Sequence, residues 1–243
     1  MDFKISLAGV TVGIHSIYDA VYKLCRDYLA EGEESFRVEI CDEDIAYERE
    51  KSVREAHIEH RSEQDFPAPY LETPAVYRQI ASNMLTHNVF LMHGSAVAVN
   101  GEAFLFTAPS GTGKTTHTRL WLENIPGAFV VNGDKPLIRA EDSGCTVCGT
   151  PWAGKEGWNT NATVPLRAIC ILERGEKNHI SPLTFSQAFP AFFAQVYRSS
   201  NRADTMKTME LIKKLSRTVR LYRLSCNMDP DAAAVAFEGM RRS

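Results

Sequence analysis

The segment from Val89 to Glu123 constrains the fold of this chain more than any other segment. Two apolar runs, VFLMHGSAVAV and EAFLFT, are separated by Asn100-Gly101, and a glycine-rich stretch follows the second run. Asn-Gly between apolar runs is the strongest short-range signal for a β-hairpin, because both central residues need a positive φ. The strand ending at Thr107 is therefore predicted to pair antiparallel with the strand before it. In a doubly wound nucleotide-binding fold, by contrast, a helix separates parallel neighbours.

The glycine-rich stretch APSGTGKTT (residues 108–116) has the pattern of a phosphate-binding loop, with Ala108 where glycine usually stands. Gly111 and Gly113 let successive backbone N–H groups turn toward phosphate oxygens. The helix predicted to start near Lys114 adds its positive dipole end, Lys114 can reach the β- and γ-phosphates, and the Thr115 hydroxyl can bind Mg²⁺. The cofactors predicted are ATP and Mg²⁺, bound by Ser110, Gly111, Thr112, Gly113, Lys114, Thr115 and Thr116.

Two further side chains are candidates for the chemistry. Asp134 follows the predicted strand AFVVN, 20 residues after Lys114. A carboxylate beside a phosphate-binding loop typically holds Mg²⁺ or accepts a proton from an attacking hydroxyl, and an aspartate that only shapes the turn NGDK is the alternative. Lys135 fits either a phosphate contact or a plain surface turn. His93 precedes the hairpin, where a lone histidine is more often structural than catalytic.

The segment GTPWAGKEGWNTNAT (residues 149–163) is a long loop with two tryptophans and several polar side chains. Loops of this length in compact domains tend to be functional. Lys155 and Glu156 are candidates for contacts with the γ-phosphate or the substrate. Trp152 and Trp158 are candidates for a lid or a stacking surface, and a well-packed structural loop is the alternative.

Composition excludes several other classes of protein. With 44% hydrophobic and 23% charged residues the chain is ordinary globular protein, and its net charge of −3 supplies no basic surface for nucleic acid. No run approaches the 18 or so apolar residues of a membrane span, and the N-terminus lacks a signal-peptide pattern. Six cysteines are too few for a disulfide scaffold, and the single pair Cys145 and Cys148 is predicted to lie by chance on a hairpin strand. We therefore expect a cytoplasmic protein with no membrane and no nucleic-acid partner.

The remaining pattern divides the chain into a small α+β N-terminal region (residues 1–72) and an ATP-binding domain (residues 73–243). In the first region we predict two strands around Gly9, a helix over 17–29, a strand over 35–41, an exposed helix or mobile segment over 42–61, and a linker over 65–74. Pro74 is predicted in the first turn of a helix that reaches about His87. Beyond the glycine-rich stretch we predict strands over 128–132, 136–140, 166–172 and 221–226, and helices over 184–197, over 203–215 and from Pro230.

His93-Gly94, the hairpin, SGTGKTT and the strand ending at Asp134 together resemble the HPr kinase/phosphorylase family. They also resemble the ATP-dependent phosphoenolpyruvate carboxykinases, which share that fold. The resemblance covers roughly residues 85–175 and is most specific between 93 and 134. It implies a mixed α/β sheet with an antiparallel pair leading into the phosphate-binding loop. It also implies that His93 assists transfer near the γ-phosphate, and that Asp134 acts as base and Mg²⁺ neighbour.

The sequence departs from that family at two places. The family has two adjacent aspartates where this chain has Gly133-Asp134-Lys135, and its Glu-containing signature is not recognisable. HPr itself is therefore not implied as the substrate. The function predicted is transfer of the γ-phosphoryl group of ATP to a hydroxyl of a small molecule, peptide or protein, with His93, Lys114 and Asp134 as catalytic residues. A nucleotide-binding sensor or adaptor and a simple ATPase remain alternatives, and a homo-oligomer is open.

Overall fold

A computed structural model of the chain describes residues 1–58, 62–199 and 201–241. The chain forms two compact units, Met1–Met84 and Leu85–Ser243. The predicted boundary between residues 72 and 73 falls inside a helix that continues to Met84. Among the described residues, no helix combines the length and the apolar character that a membrane crossing requires.

Over its described residues, the first unit contains a three-stranded sheet and three α-helices. Strands β1 and β2 form an antiparallel hairpin, and β3 pairs parallel with β2. The hairpin turns at Ala8 and Gly9, whose φ values are 50° and 73°, which confirms the two strands predicted around Gly9. The elements are β1 (Asp2–Leu7), β2 (Val10–His15), α1 (Asp19–Leu24), β3 (Phe36–Glu39), α2 (Asp42–Ile58) and α3 (Ala68–Met84).

Two predictions in this unit need correction, and a third, the exposed helix or mobile segment over 42–61, agrees with the structure where the structure describes it. The helix predicted over 17–29 ends at Leu24 and is followed by a short 3₁₀ turn. The segment 65–74 is not a linker throughout, because α3 begins at Ala68 and carries Pro74 inside it. Proline lacks the N–H that would bond to the carbonyl four residues earlier, and the Thr73 hydroxyl donates to that carbonyl, Tyr70 O, at 2.9 Å instead. The segment predicted over 42–61 is helical to Ile58, and its last three residues lie outside the described part of the chain.

The second unit is a mixed α/β structure built on one large sheet, as the predicted fold class required in outline. A 3₁₀ turn (Leu85–His87) precedes its strands. The strands are β4 (Val89–Leu91), β5 (Ser95–Val99), β6 (Glu102–Thr107), β7 (Phe129–Asn132), β8 (Leu137–Glu141), β9 (Gly144–Cys148), β10 (Thr163–Arg174), β11 (His179–Leu183) and β12 (Arg220–Cys226). The helices are α4 (Lys114–Asn124), α5 (Phe185–Ala194), α6 (Arg202–Thr218) and α7 (Asp231–Arg241).

The central strands run in the order β7-β5-β6-β10-β12-β11, and the meander β4-β8-β9 continues from the start of β10. The hairpin prediction is confirmed, because β5 and β6 pair antiparallel and Asn100 and Gly101 have φ values of 53° and 80°. Strands β10 and β12 run parallel to β6. Strand β11, which the apolar pattern did not indicate, pairs antiparallel with β12. Cys145 and Cys148 lie on β9 of the β8–β9 hairpin, as predicted, and all six cysteines are unpaired.

Helices cover both faces of the central sheet, because successive side chains of a strand point to opposite faces. On one face, side chains of β5, β6 and β10 pack against Phe192 of α5 and Leu211 and Leu215 of α6. On the other face, the alternate side chains of the same strands pack against Trp121 of α4 and Ala236 of α7. This three-layer packing holds the carboxyl ends of the strands in fixed positions at one edge of the sheet.

Candidate functional site

The predicted catalytic residues come together at one edge of the central sheet. Strand β5 is antiparallel to both β6 and β7, so the carboxyl ends of β6 and β7 lie beside the amino end of β5. His93 precedes β5, Asp134 follows β7, and the glycine-rich loop (residues 108–113) follows β6. The carboxyl end of β10 lies at the same edge, on the other side of β6. This edge is where α/β proteins commonly bind ligands.

The glycine-rich loop turns through two positions that favour glycine. Gly111 has φ 74° and Gly113 has φ 125°, conformations that side chains with a Cβ rarely adopt. Gly113 is also the N-cap of α4, and glycine has no side chain that could bond to the N–H groups of the first turn. Those N–H groups and the positive end of the helix dipole are the features with which helix starts bind anions.

Lys114 is the first residue of α4, and its side chain folds back along the loop. Its Nζ donates to the carbonyl oxygens of Ala108 at 2.9 Å and Pro109 at 3.3 Å. Burial lowers the pKa of Lys114, and the nearby charge of Asp134 partly offsets this effect. The lysine and the carboxylate are therefore close enough to interact.

His93 and Asp134 form a hydrogen-bonded pair, and Gln195 at the C-terminal end of α5 binds the other side of the His93 ring. The His93 Nε2 lies 3.3 Å from Asp134 Oδ1, and the His93 Nδ1 lies 2.9 Å from the side-chain oxygen of Gln195. Both ring nitrogens of His93 therefore lie next to side-chain oxygens from two different parts of the unit. Backbone hydrogen bonds join the same three segments, because Gly94 N donates to Asp134 O and His93 N donates to Gln195 O.

The turn that carries Asp134 is organised by Asn132, the last residue of β7. Asn132 Oδ1 accepts the N–H groups of Asp134 and Lys135, at 2.9 and 2.7 Å. The amide group of the same side chain donates to the carbonyl and hydroxyl oxygens of Thr150, both at 2.9 Å. Asn132 is fully buried. Its hydrogen bonds therefore hold the backbone of the turn, and with it Asp134, in a fixed position.

The charge of Asp134 is set by two opposing influences. Burial raises the pKa of its carboxyl group. The hydrogen bond from His93 and the positive charges of Lys135 and Lys114 outweigh burial and hold the pKa below its ordinary value of 3.8. Asp134 is therefore ionised at neutral pH and able to accept a proton or bind a cation.

The loop over 149–162 packs against this turn. Gly133 N donates to Trp158 O at 2.8 Å, and a Cβ on Gly154 would lie 3.0 Å from the Cβ of Asp134. Arg119 of α4 lies 3.9 Å from the Glu156 carboxylate and places its guanidinium 5.7 Å from the centre of the Trp158 ring. The loop therefore borders Asp134 on one side and α4 on the other.

The four candidate residues of the 149–162 loop differ in how exposed they are. Lys155 and Glu156 are exposed beside Gly154. Trp158 is half-buried under Arg119. Trp152 is only 7% exposed and its carbonyl accepts from Asn132, so its ring is part of the packing of the loop.

Three residues at the site were missed by the sequence analysis. Asn132 was part of a predicted strand, and its position one residue before Gly133-Asp134 was the available signal. Gln195 reaches His93 across 102 residues, for which the sequence holds no signal. Arg174, the last residue of β10, donates from Nη2 to Gly111 O at 2.5 Å and from Nε to Thr112 O at 3.4 Å.

The residues present suit a magnesium ion bound mainly through phosphate and water. Mg²⁺ is usually held by one or two protein ligands together with substrate oxygens. Asp134 offers an ionised carboxylate, and Thr115 offers an exposed hydroxyl in the first turn of α4. Within the described ranges, no group of three or more His, Cys, Asp or Glu side chains forms an all-protein metal site.

Comparison with known proteins gives a family and distantly similar solved structures. The family model described as SynChlorMet cassette protein ScmC matches residues 61–231. The solved structure of the HPr(Ser) kinase/phosphatase from Coxiella burnetii is similar at 11% sequence identity and a TM-score of 0.29, over 51% of this chain and 88% of that chain. At these values the similarity is distant and carries nothing about activity. No curated protein sequence matches the chain.

Proposed function

This chain belongs to the family of the SynChlorMet cassette protein ScmC, and we propose that it is a Mg²⁺-ATP-dependent phosphotransferase. The observation that carries the proposal is the pairing of His93 with Asp134 at the sheet edge that also holds the glycine-rich loop. A loop suited to phosphate and an ionised carboxylate suited to a hydroxyl proton are the two halves of a phosphoryl-transfer site.

The glycine-rich loop and the start of α4 would hold the phosphates of ATP. Backbone N–H groups of residues 111–116 would donate to phosphate oxygens, and the helix dipole favours their negative charge. Lys114 would exchange its bonds to Ala108 and Pro109 for the β- and γ-phosphates, which satisfy an ammonium group better than carbonyl oxygens do.

Transfer would require an acceptor hydroxyl beside Asp134. The hydroxyl oxygen forms a bond to the γ-phosphorus, the bond from that phosphorus to the β–γ bridging oxygen breaks, and the hydroxyl proton passes to the Asp134 carboxylate. The His93 ring faces the same carboxylate, with Nε2 3.3 Å from Asp134 Oδ1, and would lie next to the transferred group. Most of the rate enhancement would come from positioning and charge neutralisation.

Thr115 and Asp134 are the side chains that would hold the magnesium ion, which when bound neutralises phosphate charge. The acceptor is a small molecule or a peptide or protein with a hydroxyl group. Lys155 and Glu156, exposed beside Gly154, support a role for the 149–162 loop in choosing it.

The test is transfer of label from γ-labelled Mg²⁺-ATP to metabolite or protein fractions of a cell extract. We expect labelled product with the wild-type protein, and a loss of about 10²-fold or more with Lys114→Ala and with Asp134→Asn. Lys177→Ala and Asp142→Asn are matched controls, because both residues are exposed and lie outside the site. These two variants should keep wild-type labelling.

The alternatives give different results in the same experiment. A sensor or adaptor binds ATP, forms no labelled product, and keeps its affinity in the Asp134→Asn variant. A simple ATPase releases phosphate at a rate that no acceptor changes. Either result contradicts phosphoryl transfer to an acceptor.

A further inference from the structure

A second candidate binding region lies next to the glycine-rich loop, on the side away from Asp134. A cavity of about 570 Å³ is lined by the loop residues 109–112, the last four residues of β10 (171–174) and Ala191 of α5. Its volume falls within the range of about 300–1,000 Å³ that is usual for small-molecule sites. The proposed transfer uses the loop itself and residues on its β5–β7 side, whereas residues 171–174 and Ala191 on the β10 side have no part in it.

Sheet order determines which part of a nucleotide would reach this cavity. The strands run β7-β5-β6-β10, so the loop after β6 separates the Asp134 side from the β10 side. Phosphoryl transfer places the γ-phosphate next to Asp134. A triphosphate that lies over the loop with its γ end at Asp134 therefore directs its other end toward β10.

Arg174 gives the cavity a planar cationic wall. Its Nε and Nη2 donate to the loop carbonyls, and these bonds fix the guanidinium plane while Nη1 takes no part in them. A guanidinium group stacks on flat aromatic rings. Ile171 and Leu172 supply buried apolar surface at the base, and Glu173 at the rim is paired with Arg223 at 3.0 Å, which reduces its repulsion of an anionic ligand.

We propose that this cavity binds the nucleoside of the nucleotide whose phosphates lie on the glycine-rich loop, with the base stacked on the Arg174 guanidinium. The proposal rests on the proposed function, because it uses the γ-phosphate position beside Asp134. Arg174 then has two tasks: it holds the loop through Gly111 and Thr112, and it contacts the base.

Calorimetric titration of the full-length protein with Mg²⁺-ATP and with Mg²⁺-tripolyphosphate separates the two halves of the ligand. We expect the wild type to bind ATP at least about tenfold more tightly than tripolyphosphate. Ala191→Trp fills the cavity from the exposed surface of α5 and leaves the sequence of the loop unchanged, and should lower ATP affinity to within about twofold of tripolyphosphate. Ala203→Trp, the same change at an exposed position of α6 outside the cavity, should behave as wild type.

Arg174→Ala tests the stacked base, and tripolyphosphate binding reports whether the loop itself has changed. A loss of about tenfold or more for ATP with unchanged tripolyphosphate affinity supports the contact with the base. Equal losses for both ligands would overturn that contact and leave Arg174 as a loop-positioning residue only.

The remaining outcomes separate this inference from the proposed function. ATP affinity that is unchanged in Ala191→Trp but lost in Lys114→Ala overturns the nucleoside site while the phosphate site stands. Binding that follows the expected pattern without any phosphorylated product supports the nucleoside site and contradicts transfer. Failure of the wild type to bind either ligand overturns both.

Discussion

At the scale of single residues, burial and partners decide which titratable groups are charged. Asp134 keeps its charge because the hydrogen bond from His93 and the charges of Lys135 and Lys114 outweigh its burial. His117 of α4 has no such neighbours. Its ring packs 4.6 Å from the centre of the Phe106 ring, its Nε2 accepts from Trp121 Nε1 at 3.1 Å, and its Nδ1 has no partner within the described residues. Burial lowers the pKa of His117 to about 4.

His117 should make the protein lose stability as the pH falls from about 6.5 to about 4. In this window the unfolded histidine binds a proton and the folded one does not, so the free energy of unfolding decreases by up to about 3 kcal/mol. Urea denaturation at a series of pH values measures the effect. His117→Gln should remove this part of the pH dependence, whereas His179→Gln, at an exposed position, should keep it. An unaltered pH profile in His117→Gln would contradict the assignment.

At the scale of elements, some helices and strands are determined by their local sequence and others by contacts with distant parts of the chain. The β5–β6 hairpin, α4 and the capped start of α5 at Thr184 were predictable, because their signals lie within a few residues. The continuation of α3 through Pro74 was not predictable, because it depends on the Thr73 hydroxyl, which takes the place of the N–H group that Pro74 lacks. Likewise β11 contains Pro182 and little apolar alternation, and it is a strand because β12 supplies its partner.

The 149–162 loop contains two glycines with similar backbone conformations but different surroundings. Gly154 has φ 75° and Gly157 has φ 64°, so alanine at either position costs about 1–2 kcal/mol of stability. A Cβ on Gly154 meets Asp134 at 3.0 Å, whereas a Cβ on Gly157 meets nothing within 4 Å.

We therefore expect Gly154→Ala to lower kcat for the proposed phosphoryl transfer by about tenfold or more, because the loop or Asp134 must shift. Gly157→Ala is the matched control and should keep kcat within about twofold at a similar loss of stability. Steady-state kinetics and urea denaturation of both variants provide the comparison. Equal kcat values in the two variants would show that the contact with Asp134 does not matter for catalysis.

At the scale of the whole molecule, the second unit contains every candidate site residue together with its own core. The packed clusters on both faces of the central sheet consist of residues between Leu85 and Met240. The glycine-rich loop, the His93–Asp134 pair and the 149–162 loop all belong to the same unit. The family match, which begins at residue 61, covers most of it.

A protein consisting of residues 85–243 is accordingly expected to fold cooperatively and to bind Mg²⁺-ATP with a Kd within about threefold of the full chain. Urea denaturation and calorimetric titration of both proteins test this. The Lys114→Ala form of the shorter protein serves as the control for binding at the glycine-rich loop. A shorter protein that folds cooperatively but binds ATP much more weakly would show that residues 1–84 contribute to the nucleotide site.

The sequence by itself determined the hairpin, the glycine-rich loop with the helix after it, and the candidacy of Lys114, Asp134 and His93. Their signals are local. The turn requires residues that tolerate positive φ values, and the glycine-rich loop and the helix after it are adjacent in the sequence. Only the tertiary structure decided that His93 faces Asp134, that Gln195 completes the pair, and that Arg174 reaches the loop. These contacts join residues 41 to 102 positions apart in the chain. They depend on sheet order and strand direction, which are set by the packing of the whole unit and not by any short stretch of sequence.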